Sequence, residues 1–377
     1  MMKLKQYIYG AALGALTLTL ASCYNAEHEF PDYEGGTTAY FAYQYPVRTL
    51  ILGNDIYDNT LDNAHKCQIW STMGGAYGGR DAYVNIAVDE SLCDNLWFVD
   101  AGGNPSEPVL AMPSNYYSLL SNVIPYKGDP RGYVEVQFTD AFFNDPKAIE
   151  NTYVIPLVMT NVKGIDHILT GTPREGLQPS RTNTEDWDVL AKDYVLYCVK
   201  YMNPWHGKYI RRGVDNVTEK GVTTTIVRKD FSLVNSDLEH YKENPVNQND
   251  EICGITTKNM SQAIFPVSIK RSGNQASLLC NLILTFNGNT CTISTDDENV
   301  TATGSGEFIV KGTERPEYKD YQWGSMNGEP VQRDILRLSY NVSFDNLDVQ
   351  ASTNDTLVVQ TRESNKKEFF SPKYVKP

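Results

Sequence analysis

The sequence lacks an excess of basic side chains and, after its first 20 residues, any long apolar run. Its 377 residues contain 33 Lys and Arg against 46 Asp and Glu, which gives a formal net charge of −13. A chain this acidic is repelled by the phosphates of nucleic acids and by anionic lipid surfaces. A membrane-spanning helix needs about 20 apolar residues, so we expect no span beyond the N-terminus. We also expect no nucleic-acid partner, because the charge favours a neutral one.

Sequence motifs of common catalytic sites are also missing. The chain contains no GxSxG, HExxH, GxGxxG or P-loop pattern, and its five histidines are scattered without metal-ligand spacing. A glycosidase needs two carboxylates about 5–10 Å apart, but 46 acidic residues do not single out a pair. From these absences we expect no catalytic residues, no metal site and no cofactor.

The one apolar run is at the N-terminus, where two lysines precede an uncharged stretch from Tyr7 to Leu20. A charged start, an apolar stretch and small residues before a cleavage point form a secretory signal peptide. Leu20-Ala21-Ser22-Cys23 resembles the lipobox of bacterial lipoproteins. We predict a signal peptide over 1–22, lipidation of Cys23 with palmitate-like chains and a flexible tether over 23–37. The alternatives are an ordinary signal peptide or a short anchor helix with an accidental cysteine.

Cysteine is scarce, and no CxxC pair of the kind that binds zinc occurs. Six cysteines follow position 23: Cys67, Cys93, Cys198, Cys253, Cys280 and Cys291. An even number in an exported chain suggests disulfides, but the last two flank a predicted hairpin turn. With Asn287-Gly288 as the turn, Cys291 pairs with Leu284, and with Gly288-Asn289 it pairs with Phe286. Neither register faces Cys280, so we expect most of these thiols to be small buried side chains.

Strand signals dominate the rest of the chain. Apolar residues alternate with a period of two in Ala82–Val88, Gly132–Phe138 and Tyr153–Val158, and clusters of turn residues separate these segments. The pattern predicts an all-β chain with an N-terminal immunoglobulin-like sandwich over 38–162. A linker over 163–195 and a C-terminal antiparallel β-sandwich or barrel over 196–377 follow.

Segments in both halves resemble two domain families of unknown function that occur together in Bacteroidota outer-membrane lipoproteins. The matching segments are Val84–Leu92, Ala111–Leu119, Gly132–Asp140, Tyr153–Leu157, Val199–Tyr209, Trp323-Gly324, Leu338–Tyr340 and Asp355–Val359. Proteins of this layout lie beside an outer-membrane glycan importer and its partner lipoprotein in polysaccharide-utilisation loci. The resemblance implies a surface glycan-binding lipoprotein that is anchored in the outer membrane through lipid and faces the cell exterior.

Aromatic residues supply the candidate binding site, since sugar rings stack on flat side chains and exposed aromatic patches with polar rims mark interaction sites. The segment 318–328 is polar, turn-rich and interleaved with aromatics, which suits an exposed loop. The candidate glycan-binding residues are Trp323, Tyr321, Tyr318, Gln322 and Asn327, with Trp187 near the linker. Trp323-Gly324 also belongs to the family signature, which favours a structural role instead. We expect Trp70, Trp97 and Trp205 to lie in cores.

These features together favour non-catalytic capture of a polysaccharide or oligosaccharide for delivery to the importer, with the glycan site in the C-terminal domain. One alternative is a surface glycoside hydrolase, which would release sugar from a polymer. Another is an adhesin or structural lipoprotein, which would assemble with other chains and bind no glycan. A third is a protein that holds an importer complex together without contacting glycan.

Overall fold

The computed structural model describes residues 32–376 apart from 77, 229–250, 272–274, 316–324, 327–328, 331 and 363–366. The predicted signal peptide, Cys23 and most of the predicted tether therefore lie outside the described residues. Strands account for 56% of the structure and helices for 7%, which confirms the all-β prediction. Within the described ranges, no helix is long and apolar enough to cross a membrane.

The N-terminal domain consists of short strands with two one-turn helices. The strands are β1 (Thr38–Tyr40), β2 (Pro46–Ile51), β3 (Lys66–Gly74), β4 (Asp81–Val88), β5 (Leu96–Val99), β6 (Pro105–Pro108), β7 (Leu110–Ala111), β8 (Tyr117–Leu119), β9 (Val123–Lys127), β10 (Arg131–Phe138), β11 (Tyr153–Lys163), β12 (His167–Ile168), β13 (Thr172–Pro173), β14 (Trp187–Val189) and β15 (Tyr194–Met202). The helices are α1 (Thr60–Asn63) and α2 (Asp140–Phe143), with 3-10 turns at Glu90–Cys93, Pro146–Ile149 and Thr184–Asp186.

Two sheets form the predicted immunoglobulin-like sandwich. Sheet 1 has the order β12–β1–β3–β10–β8, and sheet 2 contains β2–β15–β11–β4–β9 with β7 beside β11. Along each long strand, alternate side chains turn inward because successive residues of a strand point to opposite faces. Inward residues from both sheets form one continuous core that includes Ile69, Val84, Val134, Ile155 and Leu157.

The predicted linker over 163–195 is organised differently in the structure. β12 pairs in parallel with β1, and β13 pairs with β14 as a small antiparallel ladder. β15 is a central strand of sheet 2, since Val195 lies opposite Leu157 on β11 and Val199 opposite Arg48 on β2. Residues 194–202 are buried on both faces, as a central strand requires. The sandwich therefore extends through Met202, and the boundary lies seven residues later than the predicted start at 196.

The C-terminal domain is built from longer strands. They are β16 (Gly207–Glu219), β17 (Val222–Arg228), β18 (Glu251–Thr257), β19 (Gln262–Ile269), β20 (Leu278–Asn287), β21 (Thr290–Thr295), β22 (Val300–Ile309), β23 (Ser325–Met326), β24 (Glu329–Pro330), β25 (Ile335–Phe344) and β26 (Val349–Thr361), with a 3-10 turn at Gly312–Glu314. Two terminal strands follow, β27 (Glu368–Phe369) and β28 (Lys373–Tyr374).

Eight of these strands close into an antiparallel barrel, which decides between the two predicted architectures. β18 to β22, β25 and β26 follow one another around the barrel, and β16 closes it by pairing with both β18 and β26. β17 pairs antiparallel with the second half of β16, from Gly213 to Glu219. Inward side chains fill the interior, among them Phe265, Leu284 and Leu338. Closure removes the exposed sheet edges that an open sandwich would present.

The cysteine predictions can be checked directly in the barrel. Cys291 lies opposite Phe286, so Gly288-Asn289 forms the turn and the second of the two predicted registers is confirmed. All six cysteines after position 23 are free, and five of them are buried. Burial raises the pKa of the Cys291 thiol to about 12. These side chains behave as small hydrophobes in the way the spacing indicated.

The end of the chain returns to the N-terminal domain. β27 pairs with β2 at the edge of sheet 2, and β28 pairs with β5. Just before this return, the guanidinium of Arg362 donates to the carbonyl oxygens of Leu52 at 3.0 Å and Asn203 at 2.7 Å. The predicted C-terminal domain over 196–377 therefore loses residues at both ends to the sandwich, because their strands complete sheets there.

Candidate functional site

The residues predicted to bind glycan fall into two groups. Those of the segment 318–328 lie outside the described residues, as does the lipidation residue Cys23: Tyr318, Tyr321, Gln322, Trp323 and Asn327. Trp187 is described, and the structure places it in a core. It is 8% exposed, and its indole nitrogen donates to the carbonyl oxygen of Ser180 at 2.8 Å. Both ring faces are covered by protein, which corrects the prediction that Trp187 stacks on a sugar.

The other tryptophans divide in a way that the sequence did not indicate. Trp205 is buried and stacks on Phe286 with ring centroids 3.6 Å apart, so its predicted core position is confirmed. Trp97 is only partly buried. Trp70 is 47% exposed, and the prediction that it lies in the core is wrong. The reason is its phase on the strand: its neighbours Ile69 and Ser71 point inward, so Trp70 points to solvent.

The exposed Trp70 has an aromatic partner across the sheet. On β10, residue Tyr133 lies directly opposite Trp70 and is 41% exposed. The two ring centroids are 4.7 Å apart and the rings are inclined by 45°. Cross-strand aromatic pairs stabilise a sheet modestly, but these rings leave much of their surface in water. Two adjacent strands thus fix an apolar surface on the outer face of sheet 1.

A cation is positioned beside the same rings. The guanidinium carbon of Arg131 lies 5.8 Å from the centroid of the Trp70 ring. Asp129 orients this arginine, because its carboxylate accepts from the Arg131 backbone amide at 2.8 Å and from the side-chain Nε at 3.3 Å. Both hydrogen bonds lower the pKa of Asp129, and the bond from the Arg131 backbone amide has the larger effect. The lowered pKa keeps the carboxylate ionised, and its hydrogen bonds favour a position of the exposed guanidinium over the indole.

Polar side chains lie on the other side of the rings. Gln68 and Glu135 occupy the next outward positions on β3 and β10 and face each other across the ladder. Lys66 donates to Glu135 at 2.7 Å, and both side chains remain partly exposed. We call Trp70, Tyr133 and Arg131, with Gln68 and Glu135 as rim, the aromatic platform. It offers flat apolar faces for stacking and donors and acceptors for hydroxyl groups.

In the part of the chain that the structure describes, a cluster of buried charged side chains lies inside the barrel. Arg211 donates to Asp355 at 2.8 Å and to Tyr340 at 3.0 Å. Arg228 forms an ion pair with Asp215 and donates to Asp355 at 2.6 Å. Burial opposes ionisation of Asp215, but hydrogen bonding and charge from Arg228 bring its pKa below the ordinary value. We interpret this barrel network as structural, since both of its aspartates are enclosed and already partnered by arginines.

Three comparisons with known proteins bear on the chain. Residues 33–166 match a family model of an N-terminal domain, and residues 204–363 match the Domain of unknown function (DUF5627). No curated protein matches the sequence. A crystal structure at 2.40 Å of a structural-genomics protein of unknown function from Bacteroides ovatus is 38% identical, with a TM-score of 0.77, and the match covers 91% of this chain and 100% of that chain. The two family models fall on the sandwich and on the barrel.

Proposed function

Because this chain belongs to the family of the Bacteroides ovatus protein, for which no function is established, we propose a function from the site itself: non-catalytic binding of a polysaccharide. The observation that carries the proposal is the exposed pair Trp70 and Tyr133 on a rigid sheet face. Pyranose and furanose rings have apolar faces that stack on such side chains. Single exposed aromatics are common on protein surfaces, whereas a contiguous pair rimmed by polar side chains marks an interaction site.

The composition of the platform suits a neutral glycan. Hydroxyl groups both donate and accept hydrogen bonds, and the rim supplies each partner type through Arg131, Gln68 and Glu135. Covering apolar surface stabilises by about 25 cal/mol per Å², so two half-exposed rings support only modest affinity for one short segment. Repeated contacts along a polymer, and several copies of the protein on one surface, raise the effective affinity.

We extend the proposal to the location and the partners of the protein. Lipidation at Cys23 would hold it in the outer membrane facing the exterior, and a neighbouring importer with its partner lipoprotein would receive the bound glycan. The support for this part is the lipobox-like sequence and the family resemblance of the two halves. Mass spectrometry of the protein purified from its membrane tests the anchor. Acyl chains on Cys23 are expected, and an unmodified cysteine or an intact residue 1–22 segment contradicts it.

Affinity gel electrophoresis against plant, microbial and host polysaccharides tests the binding function. The wild-type protein should be retarded by at least one polymer. Replacing Trp70 and Tyr133 together by Ala should abolish most of that retardation. The matched control replaces another exposed aromatic pair, Tyr43 and Phe369, whose ring centroids lie 5.0 Å apart.

The outcomes of this gel separate the possible sites. Retardation that survives the Trp70 and Tyr133 changes but disappears with Trp323→Ala moves the site to the segment predicted from the sequence. Retardation lost only in the Tyr43 and Phe369 control moves it to that pair. No retardation of the wild-type protein by any polymer contradicts glycan binding altogether. Sugar released from a bound polymer favours the hydrolase instead.

A further inference from the structure

A cavity lies where the N-terminal domain meets the end of the barrel. It has a volume of about 230 Å³. One wall is the loop that follows β2, from Asn54 to Tyr57, and the opposite wall is formed by barrel residues around Arg333 and Asp334. Arg362 fixes the loop against the barrel, since its guanidinium donates to the carbonyl oxygens of Leu52 and Asn54 at 3.0 and 3.1 Å. These hydrogen bonds hold one wall of the cavity against the barrel.

The loop side of this cavity presents apolar surface. Tyr57 is 50% exposed and its neighbour Ile56 is 62% exposed, and both line the cavity. Polar groups converge from the barrel side. Burial raises the pKa of Asp334, whose carboxylate accepts from the Lys311 backbone amide at 2.7 Å. A half-exposed aromatic ring facing buried polar groups is the usual lining of a small-ligand site, and such sites favour domain interfaces.

Asp55 contributes a carboxylate to the wall of the cavity. The Oδ2 atom of Asp55 is buried and has no hydrogen-bond partner among the described residues, whereas its Oδ1 atom accepts from the Ile56 amide at 2.6 Å. The Oδ1 atom is the exposed oxygen of this carboxylate and keeps a second lone pair. A hydroxyl group entering the cavity can therefore donate a hydrogen bond to Oδ1.

A larger cavity at the same junction provides a contrast. It has a volume of about 450 Å³ and is lined by strands β2, β15 and β18. Two charge pairs lie in its wall, Arg48 with Asp62 and Lys200 with Glu368 at 2.9 Å, and the remaining carboxylate, Glu150, is exposed. The imidazole of His206 contacts Thr257, accepting from its amide at 3.1 Å. Size alone does not make a binding site, and among the described residues that line this cavity no buried side-chain atom lacks a hydrogen-bond partner.

We propose that the smaller cavity, which we call the junction pocket, binds a single sugar unit that stacks on Tyr57 and donates a hydroxyl hydrogen bond to Asp55. The inference rests on the proposed glycan-binding function and adds a second, separate subsite to it. The junction pocket is concave and small, so it suits one residue at a chain end or branch. The aromatic platform is open and suits the side of a continuous chain.

Calorimetric titration with defined trisaccharides tests the junction pocket. The probes are cellotriose, maltotriose, xylotriose, mannotriose and galactotriose. The protein used is the full mature chain carrying Trp70→Ala and Tyr133→Ala, which removes the platform. It should still bind at least one trisaccharide with one site per chain. Adding Tyr57→Ala or Asp55→Asn should weaken that binding at least tenfold, whereas Tyr57→Phe, which keeps the ring, should retain it.

A matched control and the opposing outcomes complete the test. Glu150→Gln makes the same carboxylate-to-amide change in the larger cavity and should leave trisaccharide binding unchanged. Binding that is insensitive to both Tyr57→Ala and Asp55→Asn overturns the junction pocket. So does a platform variant that binds no trisaccharide while the wild-type protein still binds polymer, and in that case the proposed function stands. A wild-type protein that binds neither polymer nor trisaccharide overturns both.

Discussion

Trp70 and Tyr133 lie opposite each other on adjacent antiparallel strands, with ring centroids 4.7 Å apart and nearly half of each side chain in water. Their neighbours along the chain, Ile69 and Val134, point the other way and form part of the sandwich core. The inner face of these two strands thus contributes to the sandwich core, whereas the outer face carries the aromatic platform, which the core does not need. This separation allows the platform to be removed without unfolding the protein.

The first prediction compares an exposed tryptophan with a buried one. Trp70→Ala should lower the free energy of unfolding by about 1 kcal/mol, because it removes two exposed contacts, the cross-strand aromatic one with Tyr133 and the one with the Arg131 guanidinium. Trp205→Ala should cost about 3–5 kcal/mol, since that ring is buried against Phe286 and its loss leaves a cavity. Urea denaturation of both variants measures the difference. A loss at Trp70 equal to that at Trp205 would show that the platform is part of the core.

The second prediction concerns the glycine between the two platform residues of β10. A Cβ atom at Gly132 would lie 2.4 Å from the carbonyl oxygen of Pro125 on the facing strand β9. Gly132→Ala should therefore separate the two sheets locally and cost about 1–3 kcal/mol, as other overpacked positions do. It should also weaken glycan binding, because Arg131 and Tyr133 flank the displaced residue.

The control for this change is Gly78→Ala. A Cβ atom there meets nothing within 4 Å. Thermal unfolding and gel retardation should both match the wild-type protein. If Gly132→Ala unfolds at the wild-type temperature, the two sheets are less closely packed at this point than the structure indicates.

The third prediction concerns the pH dependence of the barrel network. Arg228 brings the pKa of Asp215 below its ordinary value despite the opposing effect of burial. A carboxylate with a depressed pKa in the folded state contributes stability above about pH 4, and that contribution is lost as the pH falls through the folded-state pKa. Asp215→Asn should therefore cost about 3–5 kcal/mol at pH 7, since it leaves a buried arginine underpartnered.

The decisive measurement is the difference between wild type and variant across pH. That difference in unfolding free energy should narrow as the pH is lowered below about 4. Protonation of Asp215 then removes the stabilisation that the carboxylate gives the wild-type protein, which the variant lacks at every pH. Asp296→Asn serves as the control, since that side chain is 76% exposed and, among the described residues, its ion pair is with Lys258. A difference that stays constant from pH 7 to pH 3 would contradict the assigned ionisation of Asp215.

The sequence predicted the sandwich well because alternation is a local signal. Period-two patterns located β4, β10 and β11. In the barrel, the hairpin sequence allowed two turn registers, and the structure has the one that places Cys291 opposite Phe286. The assignment of residues 194–202 to the second domain failed for a different reason. A strand buried on both faces shows no alternation, and its partners β2 and β11 are far apart in sequence. Its domain is decided by long-range pairing.

The candidate site was missed although its signal was present. The alternation in β3 places Lys66, Gln68 and Trp70 in one phase, and two of these three are polar. Tracing that phase would have put the tryptophan on the solvent side. The expected core position of Trp70 rested instead on the frequent use of aromatic residues in β-sandwich cores. The junction pocket had no local signal, because its walls at Asp55 and Asp334 come together only when the two domains meet.

The last prediction concerns the coupling of the two domains through Arg362. This buried guanidinium donates three hydrogen bonds to backbone carbonyls, at 3.0 Å to Leu52, 3.1 Å to Asn54 and 2.7 Å to Asn203. Hydrogen bonds from a charged donor contribute about 1.5–3 kcal/mol each. Arg362→Met keeps much of the side-chain volume but removes all three. The sandwich and the barrel should then unfold in two calorimetric transitions instead of one.

Hydrogen exchange locates the effect of the same change. Amides in residues 52–57 should exchange faster in Arg362→Met, because the loop is released from the barrel end, while those of β3 and β10 should keep their protection. Arg337→Met, an exposed arginine on the barrel strand β25, is the control and should alter neither measurement. A single unchanged transition together with unchanged exchange at 52–57 would mean that pairing of β27 with β2 couples the domains without Arg362. Because that loop carries Asp55 and Tyr57, the variant should also lose trisaccharide binding at the junction pocket while the platform continues to bind polymer.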